Sequence, residues 1–234
     1  MAYQIWLGNP YELHFDWNKL CAEVVKLFRP VIVEYDSRQK VKSRRFGTVR
    51  CSSRIERPQV GARDLLVYVV PEPQFGFVGV EFGTGGREIA GGLTLTDHVT
   101  VSGRRVRQVA SEVSLSGGQI ATGPGATLRV DRLSTTPPTI RVDKKRSVGT
   151  VARVIFHEAL HNRTGMGNRA LHTHPGVRLG EEFVPTTGMP SKADIRLMAD
   201  HLTNPIGQWT GGWAALDARW GKRPANKKKH LQNP

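Results

Sequence analysis

The chain has 234 residues, 38% hydrophobic and 23% charged, a balance that excludes a wholly disordered or collagen-like polypeptide and a length that suffices to bury a sizeable core. Two cysteines only, Cys21 and Cys51, exclude a disulfide-rich scaffold and a zinc ribbon built on cysteine alone, and fit a reducing compartment. The formal net charge of +14 favours acidic or polyanionic partners, and no apolar run is long enough to suggest a membrane span.

Met1 to Pro10 lacks a basic segment followed by a long apolar run, so the expectation is a protein made, and at first kept, in the cytoplasm. Residues 1–60 read as a helix plus a strand belonging to the same domain as the next part of the chain. Leu20, Val24, Leu27 and Phe28 fall at helical spacing, predicting a helix from Trp17 to Phe28 that Pro30 ends. Pro30 to Tyr35 then reads as a strand, followed by a basic stretch of Arg38, Lys40, Lys42, Arg44 and Arg45 that reads as a solvated loop or edge. From residue 61 the chain turns to short β-type runs separated by glycine. Leu65–Val70, continuously apolar, reads as a central strand; Gly76–Phe82, His98–Val101 and Thr139–Val142 alternate and read as strands with one wet face. Gly83–Gly92 lacks the Lys-Ser/Thr of a phosphate-cradling loop and reads as a turn.

A helix is predicted from Thr150 to His161, with Thr150 or Ser147 as its cap, Val151, Val154, Ile155 and Leu160 on its buried face, and Gly165 where a left-handed residue can end it. Pro190 and Ser191 signal a further helix over Ser191–Leu202, in which Ile195, Met198 and Leu202 repeat at three and four. Asp194 reads as a helix cap and His201 as a surface residue. Residues 206–234 form a basic tail with Trp209, Trp213, Trp220, Lys222, Arg223 and Lys227–Lys229. The expected fold is α+β: a twisted mixed β-sheet packed on the residue 150–161 helix, with a smaller helical C-terminal portion, the main domain covering 61–205.

Chemistry concentrates in His157-Glu158-Ala159-Leu160-His161, an HExxH sequence. Random placement of these residues gives this pattern in about one chain in a hundred. Residues four apart share a helix face, so both imidazoles can hold one metal ion, while Glu158, rotated about 100° away, is placed as a general base and not as a ligand. Zinc at such a site keeps a position for water and lowers its pKa toward about 7. A third ligand is required, and His172, His174 and Glu181 are candidates. His172 is favoured, because Ala170-Leu171 can anchor the glycine-punctuated turn before it; His174 stands close behind, and Glu181 has little helical support. His14, His98 and His230 have no spacing relation to the site.

These residues resemble the HExxH zinc metallopeptidases, the zincins, and among them the metzincins, which follow the zinc helix with a glycine turn, a third histidine, a methionine turn beneath the metal and a final helix. Here Gly165 and Gly167, His172, Thr187-Gly188-Met189-Pro190 and the 191–202 helix come in that order. The turn before the third histidine is about five residues longer than in the metzincin pattern, where Gly167 would stand as ligand, and no tyrosine follows Tyr68. The resemblance implies a Zn2+ peptidase acting on protein or peptide substrates, with Met189 as the Met-turn residue. It also implies an edge strand on which extended substrate can pair, for which Gly76–Phe82 is the expected segment. The HEALHN start is similar to peptidase domains of bacterial toxins, effectors and phage proteins, which would be delivered without a signal peptide. A contrasting expectation from the +14 charge and the Lys227–Lys229 tail is a nucleic-acid-binding protein with a structural metal or none.

Overall fold

In the computed structural model, the residues described are 1–54, 60–61, 63–70, 79–81, 87–89, 91–101, 104–121, 139–180, 184, 187–203 and 207–208. The strands are β1 (Ala2–Gly8), β2 (Thr48–Arg54), β3 (Leu65–Val70), β4 (Gly79–Glu81), β5 (Arg87–Ile89), β6 (Gly92–Val101), β7 (Arg104–Ser114), β8 (Ser116–Ala121), β9 (Thr139–Lys145) and β10 (Gly207–Gln208). The helices are α1 (Trp17–Arg38), α2 (Val148–Thr164), α3 (Asn168–His172) and α4 (Lys192–His201).

The main sheet is mixed. β2, β1, β3 and β7 run parallel in that order, and β6 pairs antiparallel with β7 along ten residue pairs, from Gly92–Val113 to Val101–Arg104. β10 adds two parallel pairs to β7. A second, antiparallel sheet has the order β4-β5-β8-β9. The fold is therefore mixed α+β, and β3, buried along its whole length between β1 and β7, is the central strand its unbroken apolar sequence predicts. Because β1 pairs with both β2 and β3 and α1 packs on α2, the first 60 residues share the core of the rest. No helix among the described residues is long and apolar enough to cross a membrane.

Two expectations fail at Pro30. The helix does not end there, and the segment read as a strand is its second half: α1 continues to Arg38. Val31, Ile32 and Tyr35 extend the buried stripe of Leu20, Val24, Leu27 and Phe28. A mid-helix proline costs about 3 kcal/mol, whereas burying each of those apolar side chains returns about 1.5–3 kcal/mol, so packing prevails. The Cys21 thiol of α1 and the Cys51 thiol of β2 are both free. The basic stretch after α1 is exposed as expected, with Arg38 paired to Glu34 and Asp200.

The expected edge strand falls in the second sheet. Gly79–Glu81 of the Gly76–Phe82 segment forms β4, at the edge of the second sheet, and the rest of that segment lies outside the described residues. α2 packs on both β7 and β6 of the main sheet, and β6 pairs with β7 alone among the described residues. The predicted C-terminal tryptophans and basic tail also lie outside them.

Candidate metal centre

α2 begins and ends as its sequence dictates. Ser147 Oγ accepts the Thr150 backbone N–H, and Gly165, at φ 69°, closes the helix in the left-handed region where a side chain is disfavoured. Val151, Ile155, Phe156, Ala159 and Leu160 anchor the helix in the core, which fixes the direction of the polar residues between them. His157, Glu158 and His161 are all buried.

After Gly165 the chain makes one short turn of helix, α3, whose Leu171 is fully buried. That anchor places His172 over α2. The ligand atoms of His157, His161 and His172 lie within 4.8 Å of one another, with ring centroids 4.8, 5.3 and 5.4 Å apart. His157 Nδ1 donates to the Leu179 carbonyl at 2.9 Å and His161 Nδ1 to the Met166 carbonyl at 2.8 Å. Each bond fixes the tautomer that leaves Nε2 as the lone-pair nitrogen. Burial pushes His157 down to about 3, assisted by neighbouring His161, and likewise lowers His161. Both rings are thus neutral at physiological pH, the form a metal requires. Three converging imidazoles, two of them held neutral, are a donor set that fits a metal ion.

His157 is held further by α4. The Asp194 carboxylate, fully buried, accepts the backbone N–H groups of Arg178, Leu179 and Ser191. It completes a capping box with Ser191, and through Leu179 it fixes the carbonyl that orients His157.

Glu158 sits beside the cluster, its Oε1 4.0 Å from His157 Nε2. Thr94 Oγ1, on β6, donates to Glu158 Oε2 at 2.7 Å and lies 2.8 Å from Ser111 Oγ on β7, which accepts from Asn162 Nδ2 at 2.9 Å. Burial pushes the Glu158 carboxyl up to about 8, the Thr94 hydrogen bond pulls it down, and the nearby buried Glu112 adds to the rise. A Cβ on Gly92 would stand 2.6 Å from Glu158 Cγ and 2.9 Å from the Glu112 carbonyl oxygen, so β6 approaches this close only as glycine.

Of the predicted residues, the structure brings together His157, Glu158, His161 and His172. His174 is outside the cluster and lines a separate pocket against α4, with Lys192 and Arg196. Glu181 lies outside the described residues. Met189 does not have the burial a residue beneath a metal needs: it is 42% exposed and lies in a groove between α1 and α4. Asp194 caps its helix as expected and does more, whereas no spacing in the sequence marks Thr94, Ser111 or Glu112. Thr94 is 64 residues from Glu158, and only strand pairing brings the two together.

The fold and site define an α+β protein with a three-histidine cluster that can hold a metal ion. No family model matches this chain, and no curated protein or solved structure matches it either.

Proposed function

We propose that the protein is a zinc-dependent metallopeptidase of zincin type, with His157, His161 and His172 as ligands and Glu158 as general base. The observation that carries this reading is the convergence of three imidazole nitrogens within 4.8 Å beside a buried carboxylate. An all-imidazole set suits zinc among the common divalent ions. Zinc, when bound, supplies a Lewis acid that acidifies a water molecule and polarises a peptide carbonyl.

The chain's own residues do the rest. Glu158, in its carboxylate form, takes a proton from the attacking water and passes it to the leaving amine. Opposite charge nearby favours the carboxylate, so the proton-accepting form depends on the cation being held next to it. Thr94 holds one carboxylate oxygen and leaves the other, Oε1, toward the histidines. The resemblance to toxin, effector and phage peptidase domains extends this reading to a peptidase delivered against another cell's proteins.

The test is paired. Glu158→Gln should retain metal and lose nearly all hydrolysis of a quenched peptide library, whereas His161→Ala should lose metal as well. Hydrolysis by Glu158→Gln at the parental rate overturns the mechanism. The competing reading as a nucleic-acid-binding protein draws on the +14 charge and on exposed Lys40, Lys42, Arg44 and Arg45. Salt-sensitive duplex binding, together with no hydrolysis by the zinc-loaded protein, would favour it.

A further inference from the structure

The face of the molecule formed by α1 and α4 carries a groove of about 710 Å³. Its apolar wall includes Val33, Met189 and Ile195, and its cationic side chains include Arg29, Lys192 and Arg196. Val33 is 66% and Met189 42% exposed, two of the five large hydrophobic side chains left exposed among the described residues. Exposed apolar surface gathered in one concavity marks an interaction site more than scattered exposure does. The charge is one-sided. Glu34, the acidic residue of the groove, is paired with Arg38, and Lys26 is paired with Glu23.

We propose that this groove docks an acidic amphipathic helix of a partner protein. Both features of the surface are used by such a ligand: its apolar stripe lies along Val33, Met189 and Ile195, and its carboxylates meet Arg29, Lys192 and Arg196. The stretch of α1 lining the groove, Lys26 to Glu34, is about 12 Å long, which matches roughly two turns of a ligand helix. Charge complementarity selects this occupant over the others. A second copy of the chain carries +14 and is repelled. The chain's own C-terminal segment, with Lys222, Arg223 and Lys227–Lys229, has the same sign as the rim. A nucleic acid would satisfy the cations but has no use for the exposed Val33 and Met189. The inference does not depend on the metal-site reading, because none of these residues belongs to it.

The test uses the full chain and a panel of fluorescein-labelled 16-residue peptides with glutamate on one helical face and leucine on the other. Lysine-substituted versions and a labelled DNA duplex serve as controls, and binding is read by fluorescence anisotropy. The acidic peptides should bind and the lysine versions should not. Arg29→Glu with Lys192→Glu and Arg196→Glu should weaken binding by about tenfold or more and make it less salt-sensitive. Val33→Asp, at an exposed position, should weaken it to a similar degree. Unchanged melting temperatures would show that these variants keep the fold, and unchanged metal content that the histidine cluster is intact. If no acidic peptide binds, if the charge reversals leave binding unaltered, or if Val33→Asp is silent while duplex DNA binds and responds to the reversals, the proposal is overturned.

Discussion

Thr94 Oγ1 donates to Glu158 Oε2 at 2.7 Å across the gap between the edge strand β6 and the helix α2. This is a part-buried bond to an ionisable group, and it ties the Glu158 side chain to the sheet instead of to its own helix. Thr94→Val keeps the shape and removes the donor. We expect kcat for peptide hydrolysis to fall by about tenfold, a fraction of the 10²–10⁴ that a positioned base supplies, with KM and metal content unchanged. Thr94→Ser should restore most of the loss. Equal activity of the valine and serine variants would show that the hydroxyl does not position Glu158.

The choice between His172 and His174 can be settled by metal binding. His172→Ala should lower zinc affinity by about 100-fold or more, because two imidazoles alone hold the ion poorly. His174→Ala should remain within about threefold of the parent, since His174 is outside the cluster and lines a pocket with α4 residues. Calorimetric titration of zinc into the metal-stripped proteins gives both numbers, and the opposite ranking would contradict the ligand assignment.

Asp194 combines two roles that one substitution should expose together. Removing a buried carboxylate that accepts three backbone N–H groups leaves those donors unsatisfied. Asp194→Ala should therefore cost about 2–4 kcal/mol in urea unfolding. Because Leu179 loses its anchor, zinc affinity should fall as well, by about tenfold. Lost stability with unaltered zinc affinity would mean that the Leu179 carbonyl orients His157 without help from Asp194.

The metal-free protein should have a stability maximum in mildly acidic solution. His157 titrates at about 3 in the folded chain against 6.5 ordinarily. The unfolded chain therefore binds the extra proton between those values, and stability is lost as pH falls below 6.5. Glu158 is shifted the other way, from 4.5 to about 8. The folded chain keeps a proton that the unfolded chain releases, so stability is lost as pH rises from 4.5 through 8. Each limb amounts to a few kcal/mol at most. Melting temperatures of chelator-treated protein across this range should show both limbs, and Glu158→Gln should flatten the alkaline one. A parent protein that lost no stability toward pH 8 would contradict the assigned environment of Glu158.

Much of the histidine cluster was legible in the sequence because it is local. His157 and His161 follow from helical period, Ser147 and Gly165 mark the ends of α2, and Leu171 anchors the turn that presents His172. The course of α1 was not legible, since Pro30 and the β-branched residues after it carry the signals of a helix end and a strand. Only the partners that bury Val31, Ile32 and Tyr35 decide otherwise. The setting of Glu158 was also hidden. Thr94, Ser111 and Glu112 are polar residues in strands, a pattern that ordinarily marks a wet face, yet Ser111 and Glu112 are buried and Ser111 bonds Asn162 of α2. Met189 precedes a helix as a Met-turn would, but position along the chain does not reveal that its side chain lies in an exposed groove.

The three histidines lie within sixteen consecutive residues, 157–172, whereas the groups that surround Glu158 come from strands 64 and 46 residues earlier. Closing so short a loop is entropically cheap, and pairing distant strands is not. The histidine cluster and the setting of Glu158 thus ask different things of folding: the three rings come from one helix and the bend after it, with the Leu179 carbonyl behind His157, whereas Glu158 meets Thr94 and Glu112 only when β6 and β7 are in place. Under the proposed function, a chain caught midway through folding would gather its imidazoles before Glu158 could serve as a base.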